Sequence, residues 1–333
     1  MIREKGPMAT AHTSDNIQLS EPTASPSHQS FGPDPRRFDP KVREFLQASI
    51  AASTRRAYQS DLDHFLAWGG GVPATPEALA RYLADFATML SMATLARRIV
   101  AIGRTHILRG FSNPAANDLV RITLRGIRRT YGRPQERVAA LTKEQLIAIT
   151  STLGNSPKDI RDRALLLIGF AGAFRRSELI SVDCNSIERR HAGVVIAIPR
   201  SKTDQERRGR QIAIPKSGGC VCPVAALDAW LDFAHIGEGP VFRPVTRRGR
   251  VLPYRLSSEA VALIVKQRST AVASNGARYS GHSLRAGFVT SAAIAGVPVW
   301  KIKAQTGHAS EAALGRYIRT CDLFGDNAVS AVL

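Results

Sequence analysis

Residues 193–215 read GVVIAIPRSKTDQERRGRQIAIP. Two short runs rich in β-branched residues, GVVIAIP (193–199) and RQIAIP (210–215), flank a polar, charged connection, RSKTDQERRG. The pattern predicts two antiparallel strands joined at a tip that carries Lys202. The segments around it have helical spacing instead. Thr142 precedes KEQLIAI with Gln145 at the third helical position, a capping-box signature, and Pro223 opens VAALDAWLDFA. SSEAVALIVKQR, HSLRAGFVTSAAIAG, VPVWKIKAQTG and SEAALGRYIR read as further helices. Residues 142–333 are therefore expected to be mostly helical with one small antiparallel β patch.

Upstream, residues 39–131 read as all-helical. Val42, Phe45, Leu46 and Ile50 recur at helical spacing, and Tyr58, Leu62, Phe65 and Leu66 make a second stripe behind Ser53 as N-cap. Thr75 and Pro76 mark another helix start. Residues 132–141, with Gly and Pro among charges, are the expected linker. Residues 1–38, rich in Ser, Thr and Pro, read as a flexible tail.

Hydrophobic residues make up 44% of the 333, enough for packed cores in two domains. Lys+Arg total 46 against 27 Asp+Glu, a net charge of +19, which points to a polyanionic partner, most simply nucleic acid. Most of the excess is arginine, the better bidentate phosphate ligand. In the helical domain Arg55, Arg56, Arg97 and Arg98 are candidates for DNA contact, although each alone reads more readily as a solvated helix face. No apolar run reaches the ~18 residues of a membrane span, and the N-terminus lacks a signal-peptide apolar core. The expected location is the cytoplasm, with the nucleoid. Cys220 and Cys222 lack the second ligand pair of a zinc site, so no metal and no cofactor is expected.

Breaking a DNA phosphodiester without a metal requires cations on the nonbridging oxygens, a nucleophile, and an acid for the departing oxygen. Arg175 follows the apolar run RALLLIGFAGAF and stands in RRSEL, three residues before Glu178, which could orient it. Lys202 sits at the strand connection, where an ammonium can give up a proton as a guanidinium cannot. His282 and Arg285, in GHSLR, are spaced to share a helix face. His308 follows Gly307, and Tyr317 lies nine residues further on. Each has an ordinary structural reading by itself: an Arg–Glu helix pair, a turn lysine, a half-buried tyrosine. The ordered combination is what carries weight.

That combination resembles the tyrosine recombinase, or phage integrase, family. The matching positions are Arg175 in R-x-S-E-L, Lys202 between the strands, H-S-L-R at 282–285, G-H at 307–308, and Tyr317. More weakly, S-T-R-R-A-Y followed by F-L-A-W is similar to the family's core-binding domain. The resemblance implies a helical core-binding domain and a mixed α/β catalytic domain that together clamp double-stranded DNA. It implies a site-specific recombinase in which Tyr317 forms a 3′-phosphotyrosyl link. Arg175 and Arg285 would then hold the phosphate, with His308 donating to it, Lys202 protonating the 5′-oxygen and His282 assisting proton transfer. A homotetramer of two site-bound dimers, with related recombinases allowed as partners, is the expected assembly. Two alternatives are a type IB topoisomerase and a basic DNA-binding protein without chemistry.

Overall fold

The computed structural model describes residues 30–34, 36–133, 138–198, 209–219, 221–273, 277–308, 310 and 314–315. The chain divides into two compact units, residues 1–135 and 136–333. Among the described residues the architecture is mainly helical with one three-stranded antiparallel sheet.

The first unit holds α1 (Pro40–Ala48), α2 (Ala52–Ala67), α3 (Pro76–Asp85), α4 (Met92–Arg109) and α5 (Asp118–Tyr131). Local chemistry sets the boundaries. The Thr75 hydroxyl accepts from the Ala78 amide with Pro76 in the first turn, and Ser91 accepts from Thr94. Gly110 ends α4 in the left-handed conformation. The start of α2 differs from expectation. Ala51 precedes the helix without a side-chain cap, and Ser53 lies inside it. Phe65, Leu79, Tyr82, Leu83, Leu95, Ile102, Val120 and Ile127 form the core. The expected stripe on α1 exists as a helix face but is uncovered, with Phe45 72% exposed. Phe31, within the segment read as a tail, is buried edge-on against Tyr58. Residues 30–34 are also tied to α4, the Asp34 amide donating to the Leu108 carbonyl and Arg109 donating to the Ser30 carbonyl.

The second unit holds α6 (Lys143–Ser151), α7 (Pro157–Ala171), α8 (Arg176–Ser181), β1 (Ile187–Arg190), β2 (Gly193–Ile198), β3 (Arg210–Pro215), α9 (Pro223–Phe233), α10 (Ser258–Ser269), α11 (Gly281–Ile294) and α12 (Val299–Thr306). The strands run in the order β1-β2-β3, with Val194 opposite Ile214 and Ile196 opposite Ile212. Those four side chains and Ile198 face inward onto the core. The core continues through Leu165, Ile168, Phe174 and Trp230, whose indole N–H donates to the Val241 carbonyl at 2.8 Å. The sequence reading foresaw β2 and β3 but not β1. IERR offers no apolar alternation and pairs through Ile187 opposite Ile196. The Thr142–Gln145 capping box forms at the start of α6. At α9 the Cys222 sulfur is the N-cap acceptor for the Ala225 amide. Gly287 lets α11 meet the Leu141 segment, since a Cβ there would lie 1.7 Å from the Leu141 oxygen. This contact seats α11, which carries two of the candidate site residues.

Candidate active site

Glu178 anchors the first arginine. It lies in the first turn of α8, 2% exposed, and accepts the Arg175 amide at Oε2 (2.9 Å) and the Arg175 guanidinium at Oε1 (2.5 Å). The Arg175 side chain is 20% exposed. Its neighbour Arg176 is exposed and lays its aliphatic stem across Gly281, where a Cβ would meet Arg176 Cδ at 2.2 Å. The R-x-S-E-L register thus has a physical basis, because of the two neighbouring arginines it is Arg175 that pairs with the Glu178 carboxylate.

Arg285 lies one turn into α11 and is 2% exposed. Its Nη1 donates to the Ala173 carbonyl at 2.7 Å, and its Nη2 lies 3.3 and 3.4 Å from the two ring nitrogens of His308. Ala173 has φ of 48°, a left-handed backbone rare for a residue with a Cβ. His282 occupies the first turn of α11, its amide capped by Ser280. Gly307, at φ 64°, ends α12 in the left-handed conformation and turns the chain so that His308 follows directly. The His308 Nδ1 is 2.7 Å from the Thr306 hydroxyl, whose own hydrogen is directed to the Ile302 carbonyl at 2.7 Å. Thr306 and Arg285 thus hold the His308 ring from two directions.

The electrostatics join these groups. His308 is pushed down to about 4 by burial first, then by the charges of Arg285, Arg175, His282 and Arg210. His282 is lowered by desolvation, then by Arg285, Arg175 and Arg176, even though its outer edge is open to solvent. Both imidazoles are thus neutral near pH 7 beside fixed cations, an arrangement suited to an anion. Four of the six expected residues, Arg175, His282, Arg285 and His308, come together here. Lys202 and Tyr317 lie outside the described residues. The sequence reading missed three supporting residues: Arg210, Gln305 and Thr306. Arg210 belongs to a run of charges around a turn, and nothing local distinguishes it.

In the first unit, Arg55 is half-buried on α2 and Arg56 is exposed. Arg97 is half-exposed but forms a bidentate pair with Asp61 at 2.8 and 2.9 Å. Arg98 is not on the surface. It is buried, donates to the Tyr82 hydroxyl at 2.9 Å, and faces His64 and Asp61. Its charge is used inside the helical unit, which removes it from the DNA-contact candidates. Among the described residues no His/Cys/Asp/Glu group could hold a metal ion, and no helix is long and apolar enough to cross a membrane.

Residues 139–322 match the phage integrase family. An integrase/recombinase xerD homolog of Selenomonas ruminantium is 38% identical over 304 residues, covering 88% of this chain and 89% of that protein. Among solved structures, the fold is shared with the XerH site-specific recombinase in a post-cleavage complex with difH (TM-score 0.60, 16% identity, 87% of this chain and 83% of that one). It is also shared with a lambda integrase tetramer bound to a Holliday junction (TM-score 0.58, 16% identity, 85% of this chain and 77% of that one). With matching extent in sequence and a common fold, the chain belongs to the phage integrase family, whose members include the tyrosine recombinases.

Proposed function

We propose that this chain is a tyrosine site-specific recombinase, which cleaves and rejoins double-stranded DNA through a covalent phosphotyrosyl intermediate. The observation that carries the mechanism is the convergence of Arg175, Arg285, His282 and His308, with the two arginine charges acting on both imidazoles. In this reading the scissile phosphate lies against Arg175 and Arg285, which hold its nonbridging oxygens as charge builds in the transition state. The Tyr317 oxygen attacks phosphorus, the bond to the 5′-oxygen breaks, and the DNA is left 3′-linked to the tyrosine. Neutral His282 takes the phenolic proton, and Lys202 gives a proton to the departing 5′-oxygen. Attack by a new 5′-hydroxyl reverses each step. One phosphoester replaces another, so the strand is resealed without an outside energy source.

Phosphate binding would also change His308. An anion between the arginines offsets the charges that add to burial in lowering its pKa, and in this reading the ring donates a hydrogen bond to a phosphate oxygen. The lambda integrase tetramer on a Holliday junction supports a homotetramer of two site-bound dimers for this chain, and we keep related recombinases as further partners. Arg55 and Arg56 are the proposed backbone contacts of the core-binding unit, residues 39–131, and each phosphate they neutralise adds about −0.9 to the log–log salt slope. We place the protein with its DNA in the cytoplasm. The test is a nicked substrate whose short cleaved strand diffuses away. Wild type is expected to trap a covalent adduct, and Tyr317→Phe none. Relaxation of any supercoiled plasmid, independent of site, would instead favour a topoisomerase.

A further inference from the structure

We propose that Arg210 is a positioning residue for strand cleavage, tying the carboxylate that holds Arg175 to the turn that presents His308. The inference rests on the proposed cleavage reaction and adds to it a residue that never touches the phosphate.

Arg210 is the first residue of β3, the strand that follows Lys202 in the chain, and its side chain is 17% exposed. One arm of its guanidinium, Nη2, donates to Glu178 Oε2 at 3.2 Å, the oxygen that also accepts the Arg175 amide. The other arm, Nη1, donates to the Gln305 carbonyl at 2.7 Å, in the last turn of α12. Gly307 lies directly against it, and a Cβ there would sit 2.8 Å from Nη1. The Gln305 side chain binds the same turn to the Ala171 carbonyl (2.9 Å) and, more loosely, to Ala213 on β3 (3.4 Å). Three parts of the site therefore meet on one planar group: the start of α8, the end of α12 and the strand leading from Lys202.

The chemistry requires arginine. Two acceptors in divergent directions suit a rigid fork, whereas a lysine ammonium can serve one of them at full strength. The strand does not depend on Arg210 for its pairing, since Val194–Ile214 and Ile196–Ile212 hold the register. One hydrogen of each terminal nitrogen goes to a protein acceptor and Nε is buried, so the group faces α8 and α12 with 17% of the side chain exposed. What it controls is the separation between Arg175 and His308. Small errors in such placement cost rate, not binding.

The experiment uses the full chain and measures single-turnover cleavage of the nicked substrate at saturating DNA, DNA affinity, and thermal unfolding. Arg210→Met and Arg210→Lys are expected to slow cleavage by about 10- to 100-fold, with DNA affinity unchanged. If Arg210→Met does not fold, the lysine variant decides. Rescue by lysine to the wild-type rate overturns the inference. So does a loss that disappears at saturating DNA, which marks a phosphate contact, or one that only follows the folded fraction. If wild type itself forms no adduct, the cleavage reading falls and this inference with it. If wild type cleaves and the variants match it, this inference alone falls.

Discussion

Replacing His308 with glutamine should make the catalytic unit less sensitive to acid. In the folded chain His308 is pushed from its ordinary 6.5 to about 4, by burial first and then by Arg285, Arg175, His282 and Arg210. Its folded pKa lies below the unfolded one, so the unfolded chain takes up this proton first. Stability is therefore undiminished above about pH 6.5 and falls steadily as pH drops toward 4. The full loss corresponds to about 3 kcal/mol, of which about 2 kcal/mol has gone by pH 5. Urea unfolding followed through the fluorescence of buried Trp230, at pH 7.5 and about pH 5, measures it. His282 is present in both proteins, and its charge is a smaller cause of the His308 shift than burial, Arg285 or Arg175. His308→Gln is expected to lose about 2 kcal/mol less than wild type between the two conditions. Equal losses would refute the claim that the arginines and burial hold His308 uncharged.

Arg285→Lys keeps a positive charge but not the fork between the Ala173 carbonyl and the phosphate, and cleavage at saturating DNA should fall by about 10²–10³-fold in a single-turnover assay. Arg98→Met leaves Asp61, 2% exposed, with Arg97 as its remaining pair, and should cost the helical unit about 3 kcal/mol in urea unfolding without changing the salt slope of DNA binding. Gly287→Ala forces a methyl group onto the Leu141 carbonyl and should lower the stability of the catalytic unit by about 3 kcal/mol, seen as a fall in Tm.

The parts of the fold written in short-range chemistry were readable from sequence. The Thr142–Gln145 capping box, the Thr75–Pro76 helix start and the two β-branched runs all depend on neighbours within a few residues. β1 was not readable, because IERR becomes a strand only by pairing with β2. The exposure of α1 was not readable for a related reason. An apolar stripe predicts a helix face, but whether that face is covered depends on the rest of the unit. The site shows the same division. Arg175, His282, Arg285 and His308 stand in motifs with recognisable spacing. Arg98 reads from sequence as an exposed arginine, yet its partners Asp61 and Tyr82 come from other helices. Arg210 acquires its role only where β3 meets α8 and α12.

The central claim is a covalent bond between DNA and Tyr317. It is tested most directly by trapping the adduct on a nicked substrate, digesting the protein and sequencing the nucleotide-bearing peptide by mass spectrometry. The account predicts a single modified peptide containing Tyr317, linked to the 3′ end of the cleaved strand, and none from Tyr317→Phe. Attachment at any other residue, a 5′ linkage, or an adduct that survives Tyr317→Phe would contradict it.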